Sequence, residues 1–478
     1  MTQTVALSRP QHRSAARAWL AGLAVRHRYE LAVPEGERRR LAAAWLLLGV
    51  VALVGSGIFS VLLVAARTPF LAPFFPAADF FHTALVVHVD LSVLVWFVAF
   101  AGLLWTLASV DRMLDLAWVG FTLAALGATI MAAAPFMGAG RPVMANYVPV
   151  LDEPVFMFGL LVFGLGFAAT SLRALAAPAK VGMDLSPEGA LRFGLNAAAV
   201  AAALSIVALA WSWGGVPRAL AGKAYYELLF WGPGHVVQFA WTLIMLVGWL
   251  WLASLSGAPV PLSPRVALLL FAVGLVSVFV TPIIYLAWDV TAVEHQKMFT
   301  WQMRFGGGLA ILPMALAVVA GLVRAGPAPD ATSRSLRAAL LASLILFAAG
   351  GAIGFLIQGS DVRIPAHYHG AIVGITLAMM GLAYALLPKL GLGTPDARLA
   401  TWQPWVYGVG QLLHIIGLVW SGGYGVQRKV AGAAQVLRTP QETAGMALMG
   451  IGGLIAVAGG VLFLVIVFRA VSQRRRGT

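Results

Sequence analysis

The sequence predicts an all-α polytopic membrane protein with about 12 transmembrane helices. Of its 478 residues, 60% are hydrophobic and only 10% are charged, and apolar runs recur along the whole chain. Each run has about 20 residues, which is the length that a helix needs to cross the hydrocarbon core of a bilayer. The chain contains no cysteine, so disulfides, iron–sulfur clusters and covalently attached c-type haem are excluded.

The apolar runs divide the chain into a basic N-terminal arm (residues 1–42), a twelve-helix membrane domain (residues 43–470) and a basic tail (residues 471–478). The arm lacks a signal-peptide pattern and is expected to be partly disordered. The predicted spans, numbered 1 to 12 in chain order, are 43–66, 82–107, 114–135, 154–176, 189–213, 228–255, 265–289, 298–324, 337–358, 366–388, 402–422 and 444–470.

The formal net charge of +14 suggests a nucleic-acid partner at first, but its distribution indicates membrane topology instead. Most of the 32 Lys and Arg residues lie in the arm, in the tail and in the loops or helix ends after the even-numbered spans. Because positively charged loops stay in the cytoplasm, both termini are expected there. We therefore expect a multi-pass protein of a bacterial-type inner (cytoplasmic) membrane, which contacts lipid and no nucleic acid.

Histidines distant in sequence fall at one depth of this topology. Nine are present, and five lie toward the outer end of the bundle: His88, His235, His295, His367 and His369. Any one of them alone is as readily explained as a hydrogen-bonded interior residue. Ionisable groups within a membrane are costly, however, so five at one depth favour a functional cluster.

The other two histidines of the membrane domain do not join this cluster. His82 lies two turns before His88, where span 2 meets the interface, and is expected to be a hydrated polar cap. His414 lies within span 11 with no partner visible in the sequence, so a purely structural role is expected for it.

The stretch "IPAHYHGAIVG" sets His367 and His369 two residues apart at the start of span 10. On a helix these positions point about 200° apart, so the pair cannot readily grip one metal ion. The two imidazoles are able to hold different groups on opposite sides of the helix. Neutral imidazole suits haem iron and copper, and the spacing therefore predicts one haem on each side, one six-coordinate and one with an open face.

These residues resemble the haem–copper oxidase superfamily, specifically the catalytic subunit I shared by oxygen reductases and nitric oxide reductases. "AHYHG" is similar to the family's H-x-H motif, and "HVDLSVLVWFVAFAG" resembles the span that carries the other low-spin haem ligand. The resemblance implies that His88 and His369 bind a low-spin haem. It also implies that His367 binds a high-spin, catalytic haem.

Two further motifs extend the resemblance. "LFWGPGHVVQF" is similar to the family's L-F-W-x-x-G-H, which makes His235 a ligand of a second, non-haem metal. "GGYGVQRKVAG" resembles the stretch whose basic pair meets the haem propionates, and Arg428 and Lys429 take those places. Cations beside carboxylates make physical sense there.

The sequence departs from the family at the second metal, where span 7 lacks the expected His-His pair. One alignment places Ile284 and Tyr285 at those positions, which leaves His235 alone and copper poorly held. A looser alignment offers Glu294 and His295, which with His235 would form a harder site suited to iron. Both alternatives stay open, so a non-haem iron or copper remains undecided.

A second departure concerns the family's tyrosine four residues after the span 6 histidine. Phe239 takes that position here, and Tyr285 is the residue that could substitute for it in space. A third is that no carboxylate falls inside the cytoplasmic half of a predicted span. The carboxylates of the outer side are Asp90, Asp152, Glu153, Glu227, Asp289 and Glu294. This distribution favours protons drawn from outside, as nitric oxide reductases are understood to do.

The resemblance therefore implies a respiratory haem oxidoreductase, with nitric oxide favoured over dioxygen as the gas substrate. The alternatives are a terminal cytochrome oxidase with an unusual metal site and a non-catalytic dihaem subunit for electron transfer or gas binding. The electron donor is expected to be a cytochrome c or cupredoxin-type subunit, or a quinol. A secondary transporter is disfavoured because neither inverted repeats nor broken midplane helices are visible.

Overall fold

The computed structural model describes residues 26–71, 78–138, 140–430 and 435–476. Its helices form a bundle, joined by short loops. The spans run, in order, Glu37–Arg67, Phe81–Ala108, Leu114–Phe136, Pro154–Ala176, Pro187–Gly215, Gly222–Leu255, Pro264–Ala287, Val293–Ala325, Ala331–Gly354, Arg363–Lys389, Ala397–Gly423 and Pro440–Arg476.

Eleven of these helices, within the described ranges, are long and apolar enough to cross a membrane. The twelfth, span 11, has 27 residues and is less apolar than the others. At 1.5 Å per residue it is about 40 Å long, which also suffices to cross. The prediction of an all-α polytopic membrane protein is confirmed.

The segment before span 1 is packed where the sequence suggested disorder. Span 1 begins at Glu37, and its first turn carries charged residues that the apolar pattern did not include. Tyr29 is fully buried, its backbone N–H donates to Ser254 Oγ (2.7 Å), and its hydroxyl donates to the carbonyl of Leu262 (2.7 Å). Residues 26–36 of the arm are therefore ordered against the bundle, while residues 1–25 lie outside the described part.

One end of the bundle is built by the loops that join each odd-numbered span to the next even-numbered span; we call it the histidine end. Strands β1 (Arg141–Val143) and β2 (Val150–Asp152) form an antiparallel hairpin there. Span 2 is interrupted at the same end by a π-helical segment, Asp90–Val95. Such interruptions concentrate at functional sites, and this one begins two residues after His88.

Spans 6 and 10 are the most buried of the apolar helices, and both carry histidines of the predicted cluster. Close packing elsewhere depends on glycine. A Cβ on Gly417 would lie 2.3 Å from the backbone nitrogen of Met449, and one on Gly452 would lie 2.3 Å from that of His414. Spans 11 and 12 therefore touch backbone to backbone, as small residues allow in membrane helices.

Candidate functional site

The two histidines of span 10 face different neighbours, as their spacing predicts. His367 lies against span 9, where its Nδ1 donates to the carbonyl of Gly350 at 2.7 Å. A Cβ on Gly354 would come within 2.9 Å of the same nitrogen, so the ring is closely held. The carbonyl contact leaves Nε2 of His367 free to bind a ligand.

His369 faces spans 2 and 11 instead. Its ring centroid lies 4.9 Å from that of His414, with the two planes tilted by 47°. His88 is also near enough to interact electrostatically with His369. Spans 2, 10 and 11 thus bring three histidines together on the side of span 10 away from His367.

His88 is held in the same manner as His367. Its Nδ1 lies 3.1 Å from the carbonyl oxygen of Ser56 and 2.9 Å from the Ser56 hydroxyl. Because a carbonyl only accepts, Nδ1 carries the proton and Nε2 is left for a ligand. Histidines that bind metals almost always donate their other nitrogen in this way.

These side chains fit two haems. The donor set offers His88 and His369 on one side of span 10 and His367 alone on the other, with two of the three rings anchored through Nδ1. This is the arrangement that the sequence predicts for a six-coordinate and a five-coordinate iron.

The predicted propionate partners lie at the histidine end. Arg428 donates to Asn146 Oδ1 (3.2 Å), and Lys429 donates to Asn146 Oδ1 (3.3 Å) and to the carbonyl of Met144 (2.6 Å). Burial, with a smaller contribution from Arg428, lowers the pKa of Lys429 to about 8. Asn146 also donates to Glu227 at 2.8 Å, so cations and a carboxylate share one polar cluster.

The region predicted for a second metal has a different character. His235 uses both ring nitrogens within the protein: Nδ1 donates to the carbonyl of Trp231 (2.7 Å), and Nε2 accepts from the hydroxyl of Tyr147 (2.9 Å). Tyr147 lies in the loop between β1 and β2. Burial raises its pKa, which keeps the phenol protonated and able to donate.

The other candidate ligands do not complete a metal site. His295 is fully buried against Tyr285 and Phe299, at ring-centroid distances of 4.9 and 5.0 Å, and neither of its nitrogens has a hydrogen bond in the described part of the chain. Glu294, next to it, is exposed.

Among the residues that the structure describes, no three His, Cys, Asp or Glu side chains come together to hold a metal. The alternative set of His235, Glu294 and His295 is therefore not assembled. The residues present in the described part of the chain do not fit a second metal.

Tyr285 packs between spans 5 and 6, where a Cβ on Gly232 would lie 2.3 Å from its hydroxyl oxygen. Its hydroxyl lies 2.7 Å from Ser212 Oγ and donates to the carbonyl of Ala208 (3.0 Å), both on span 5. The phenol on His235 is Tyr147, which sequence reasoning missed. The sequence feature that accompanies this contact is Gly234. A Cβ there would lie 2.1 Å from Cγ of Tyr147, so the glycine makes room for this ring.

The remaining two histidines of the membrane domain, His82 and His414, each lie against a backbone carbonyl. His82 lies 3.1 Å, through Nε2, from the carbonyl of Lys429 at the histidine end, in keeping with a polar cap. His414 has partners that the sequence alone does not reveal. Beyond its contact with His369, its Nδ1 donates to the carbonyl of Met449 at 3.0 Å, because span 12 approaches closely enough to offer its backbone.

The sequence matches the family Cytochrome C and Quinol oxidase polypeptide I over residues 40–462, and the chain belongs to this family. It is 29% identical to an uncharacterized protein of Rickettsia prowazekii, over 89% of this chain and 95% of that protein. It is 30% identical to an uncharacterized protein of Aquifex aeolicus (73% and 84%) and 25% identical to cytochrome c oxidase subunit 1 of Thermus thermophilus (85% and 79%).

A solved heme-copper terminal oxidase dimer has the same fold. It aligns with a TM-score of 0.72 and 16% identity, over 92% of this chain and 84% of the solved chain. The resemblance to the haem–copper oxidase subunit I is thereby confirmed. The chain is a multi-pass membrane oxidoreductase of the haem–copper oxidase type.

Proposed function

We propose that this protein is a dihaem respiratory reductase. His88 and His369 would hold a low-spin haem and His367 a high-spin haem, and this pair would supply the electron transfer that reduces a gas. The observation that carries the proposal is the placement of His367 and His369 on opposite sides of span 10, with Nδ1 of His367 held by Gly350.

The chain's own residues set the geometry of this transfer. A haem on His367 would supply an iron with one open face for a gas ligand. Gly350 orients the His367 ring, and Ser56 orients the His88 ring, each through Nδ1. Arg428 and Lys429 would meet the propionates, where charge-assisted hydrogen bonds are strong.

We favour nitric oxide over dioxygen as the substrate. Two molecules of nitric oxide, two electrons and two protons give nitrous oxide and water, with no O–O bond to cleave. Phe239 supplies no phenol, and the hydroxyl of Tyr285 is bound to span 5. The carboxylate of Glu227 lies at the histidine end, on the side from which we infer that protons enter.

A second candidate is a non-catalytic dihaem protein for electron transfer or gas binding. It is favoured by His235, whose two nitrogens are both engaged, and by the missing metal ligands in the described residues. A terminal oxidase with an unusual metal site is the further alternative within the catalytic class. In every case we infer cytoplasmic termini in a bacterial-type inner membrane, and a donor that is a cytochrome c or cupredoxin-type subunit or a quinol.

The test is to purify the full chain and measure haem by spectroscopy and total iron and copper by elemental analysis. The expected result is two haems per chain without a third metal, together with formation of nitrous oxide from nitric oxide under a reducing artificial donor. Fewer than two haems would overturn the proposal. Two haems without turnover of either gas would establish the second candidate, and consumption of dioxygen alone would establish the oxidase.

A further inference from the structure

Span 11 presents two polar side chains to His369 that neither the family motifs nor the proposed electron path uses. Gln411 and His414 are three residues apart and therefore lie on one face of the helix. The His414 ring contacts His369 at a centroid distance of 4.9 Å. The Gln411 side chain also reaches the His369 ring.

Gln411 has an oxygen with nothing to bind. Its Oε1 is buried and, in the described part of the chain, makes no hydrogen bond, so its approach to His369 falls short of good hydrogen-bond geometry. A buried acceptor left without a donor is destabilising. Such an atom calls for a donor nearby, and the N–H of the His369 imidazole is the nearby donor of the right kind.

His414 is fixed in one orientation by span 12. Its Nδ1 donates to the carbonyl of Met449 at 3.0 Å, and a Cβ on Gly453 would lie 3.2 Å from that nitrogen. Because a carbonyl only accepts, the proton of the neutral ring lies on Nδ1. The remaining nitrogen, Nε2, is therefore an acceptor.

The other two proposed haem ligands each have an acceptor for Nδ1: Ser56 for His88 and Gly350 for His367. His369 is the ligand whose acceptor is not otherwise accounted for. Ligating histidines almost always donate their second nitrogen. Of the two acceptors that span 11 brings to it, the amide oxygen of Gln411 can supply what the other two ligands obtain from a serine and a backbone carbonyl.

We propose that Gln411 and His414 are positioning residues for His369. Gln411 Oε1 accepts the N–H of the His369 imidazole, and His414 holds the ring against rotation. An acceptor on this N–H makes the imidazole a stronger donor to iron, which stabilises the ferric state and lowers the midpoint potential of the low-spin haem. The inference rests on the proposed function, since it takes His369 as a haem ligand.

The test is the midpoint potential of the low-spin haem, measured by spectroelectrochemical titration of the purified full-length protein. Gln411→Leu removes the acceptor and is expected to shift the ferric-to-ferrous ratio toward ferrous by about tenfold, which is about 59 mV upward for a one-electron couple. His414→Phe is expected to raise the potential by a smaller amount. Both variants are expected to keep a low-spin optical spectrum.

Conservative variants separate positioning from packing. Gln411→Glu keeps the volume and offers a stronger acceptor, so its potential is expected below that of the parent protein. His414→Gln is expected to lie closer to the parent than His414→Phe. If Gln411→Leu does not fold, the direction of the Gln411→Glu shift decides: an upward shift or none overturns the inference.

The matched control is Gln403, a fully buried amide on the same helix. It accepts from the hydroxyl of Tyr384 (2.9 Å) and donates to the carbonyl of Gly459 (3.3 Å), away from His369. Gln403→Leu is expected to lower thermal stability and leave the haem potential unchanged. An equal potential shift in Gln403→Leu and Gln411→Leu would assign the effect to packing and overturn the inference.

His369→Ala separates failure of the inference from failure of the proposed function. Loss of the low-spin spectrum in His369→Ala, together with unchanged potentials in Gln411→Leu and His414→Phe, would overturn the inference and leave the dihaem proposal standing. Retention of the low-spin spectrum in His369→Ala would overturn the ligand assignment itself.

Discussion

The histidines on the haem side of the bundle differ in their hydrogen bonding from those in the region predicted for a second metal. On the haem side, His88 and His367 each anchor Nδ1 on a neighbouring span and keep Nε2 free. In the other region, His235 uses both nitrogens within the protein, while His295 is buried with neither nitrogen bonded in the described part. His235 therefore has no nitrogen left for a metal, whereas His295 has unbonded nitrogens but no ligand set around it among the described residues.

The region around His235 and His295 is an aromatic cluster. Tyr147 and Trp231 each lie 4.8 Å from the His235 ring, measured between centroids, and Tyr285 and Phe299 enclose His295. Aromatic pairs in such geometries contribute about 0.5–1.5 kcal/mol beyond the burial of their area. This region is thus filled by aromatic packing, whereas the proposed haem ligands His88 and His367 on the other side each keep a nitrogen free.

The largest effect is expected from His367→Ala, which removes the only axial ligand proposed for the high-spin haem. We expect complete loss of the carbon monoxide difference spectrum of the reduced protein, with the low-spin spectrum retained. His295→Phe is the control on the other side, and it is expected to leave both spectra unchanged. An intact carbon monoxide spectrum in His367→Ala would mean that His367 is not the axial ligand, and the contrast between the two regions would no longer hold.

Ser56→Ala tests whether the anchoring of Nδ1 matters on the haem side. Outer partners of a metal ligand are worth about 10–100-fold in affinity. The backbone carbonyl of Ser56 remains in the variant as an acceptor for His88, so we expect the low end of that range, seen as partial loss of the low-spin haem during purification. Ser60→Ala is the control, because that hydroxyl bonds only locally to Gly57. Full haem occupancy in Ser56→Ala would show that the backbone carbonyl alone suffices.

Gly234→Ala tests the packing of the aromatic cluster around His235. The added methyl would lie 2.1 Å from Cγ of Tyr147, so the ring has to leave His235. Overpacking of this kind costs about 1–3 kcal/mol, which we expect as a lower melting temperature at unchanged haem content. Gly164→Ala, on span 4 with open space around the glycine, is expected to be neutral or slightly stabilising. Equal melting temperatures of Gly234→Ala and Gly164→Ala would contradict the close fit of Tyr147.

Most of the fold was accessible from the sequence because twelve apolar runs have few other solutions in a membrane. The ends of the helices were less accessible. Span 1 begins at Glu37 rather than at residue 43, since its first turn is charged and carries no apolar signal. Span 2 reads as one continuous run, and nothing in its composition indicates the π-helical segment at Asp90–Val95.

The residues of the candidate site also differ in whether the sequence alone predicts them. His88, His367 and His369 stand in motifs that the sequence shows, so it predicts them as haem ligands without knowledge of any contact. The roles of Tyr147 and His414 are not predicted, because they depend on which loop folds back and which helices touch. Tyr147 reaches His235 across 88 positions of sequence, and His414 meets Met449 across 35. Periodicity within one span carries no information about such contacts.

The smallest effect is expected from Tyr147→Phe, which removes the hydroxyl on His235 Nε2 and keeps the ring. Loss of one such hydrogen bond costs about 0.5–1.5 kcal/mol, and we expect a small fall in melting temperature. Tyr424→Phe is the control, since Tyr424 is 53% exposed, and no change is expected there. A fall of equal size in the control would mean that the hydroxyl on His235 contributes nothing specific.

The amount of metal bound by the Tyr147→Phe variant also tests whether the region around His235 is a metal site. The substitution frees Nε2 of His235, yet the described residues offer no second and third ligand beside it. Iron and copper per chain are therefore expected to stay at the parent value even when copper is supplied during growth. One additional metal per chain in this variant would mean that the hydroxyl had been blocking a competent ligand set, and that this region is a closed metal site and not packing.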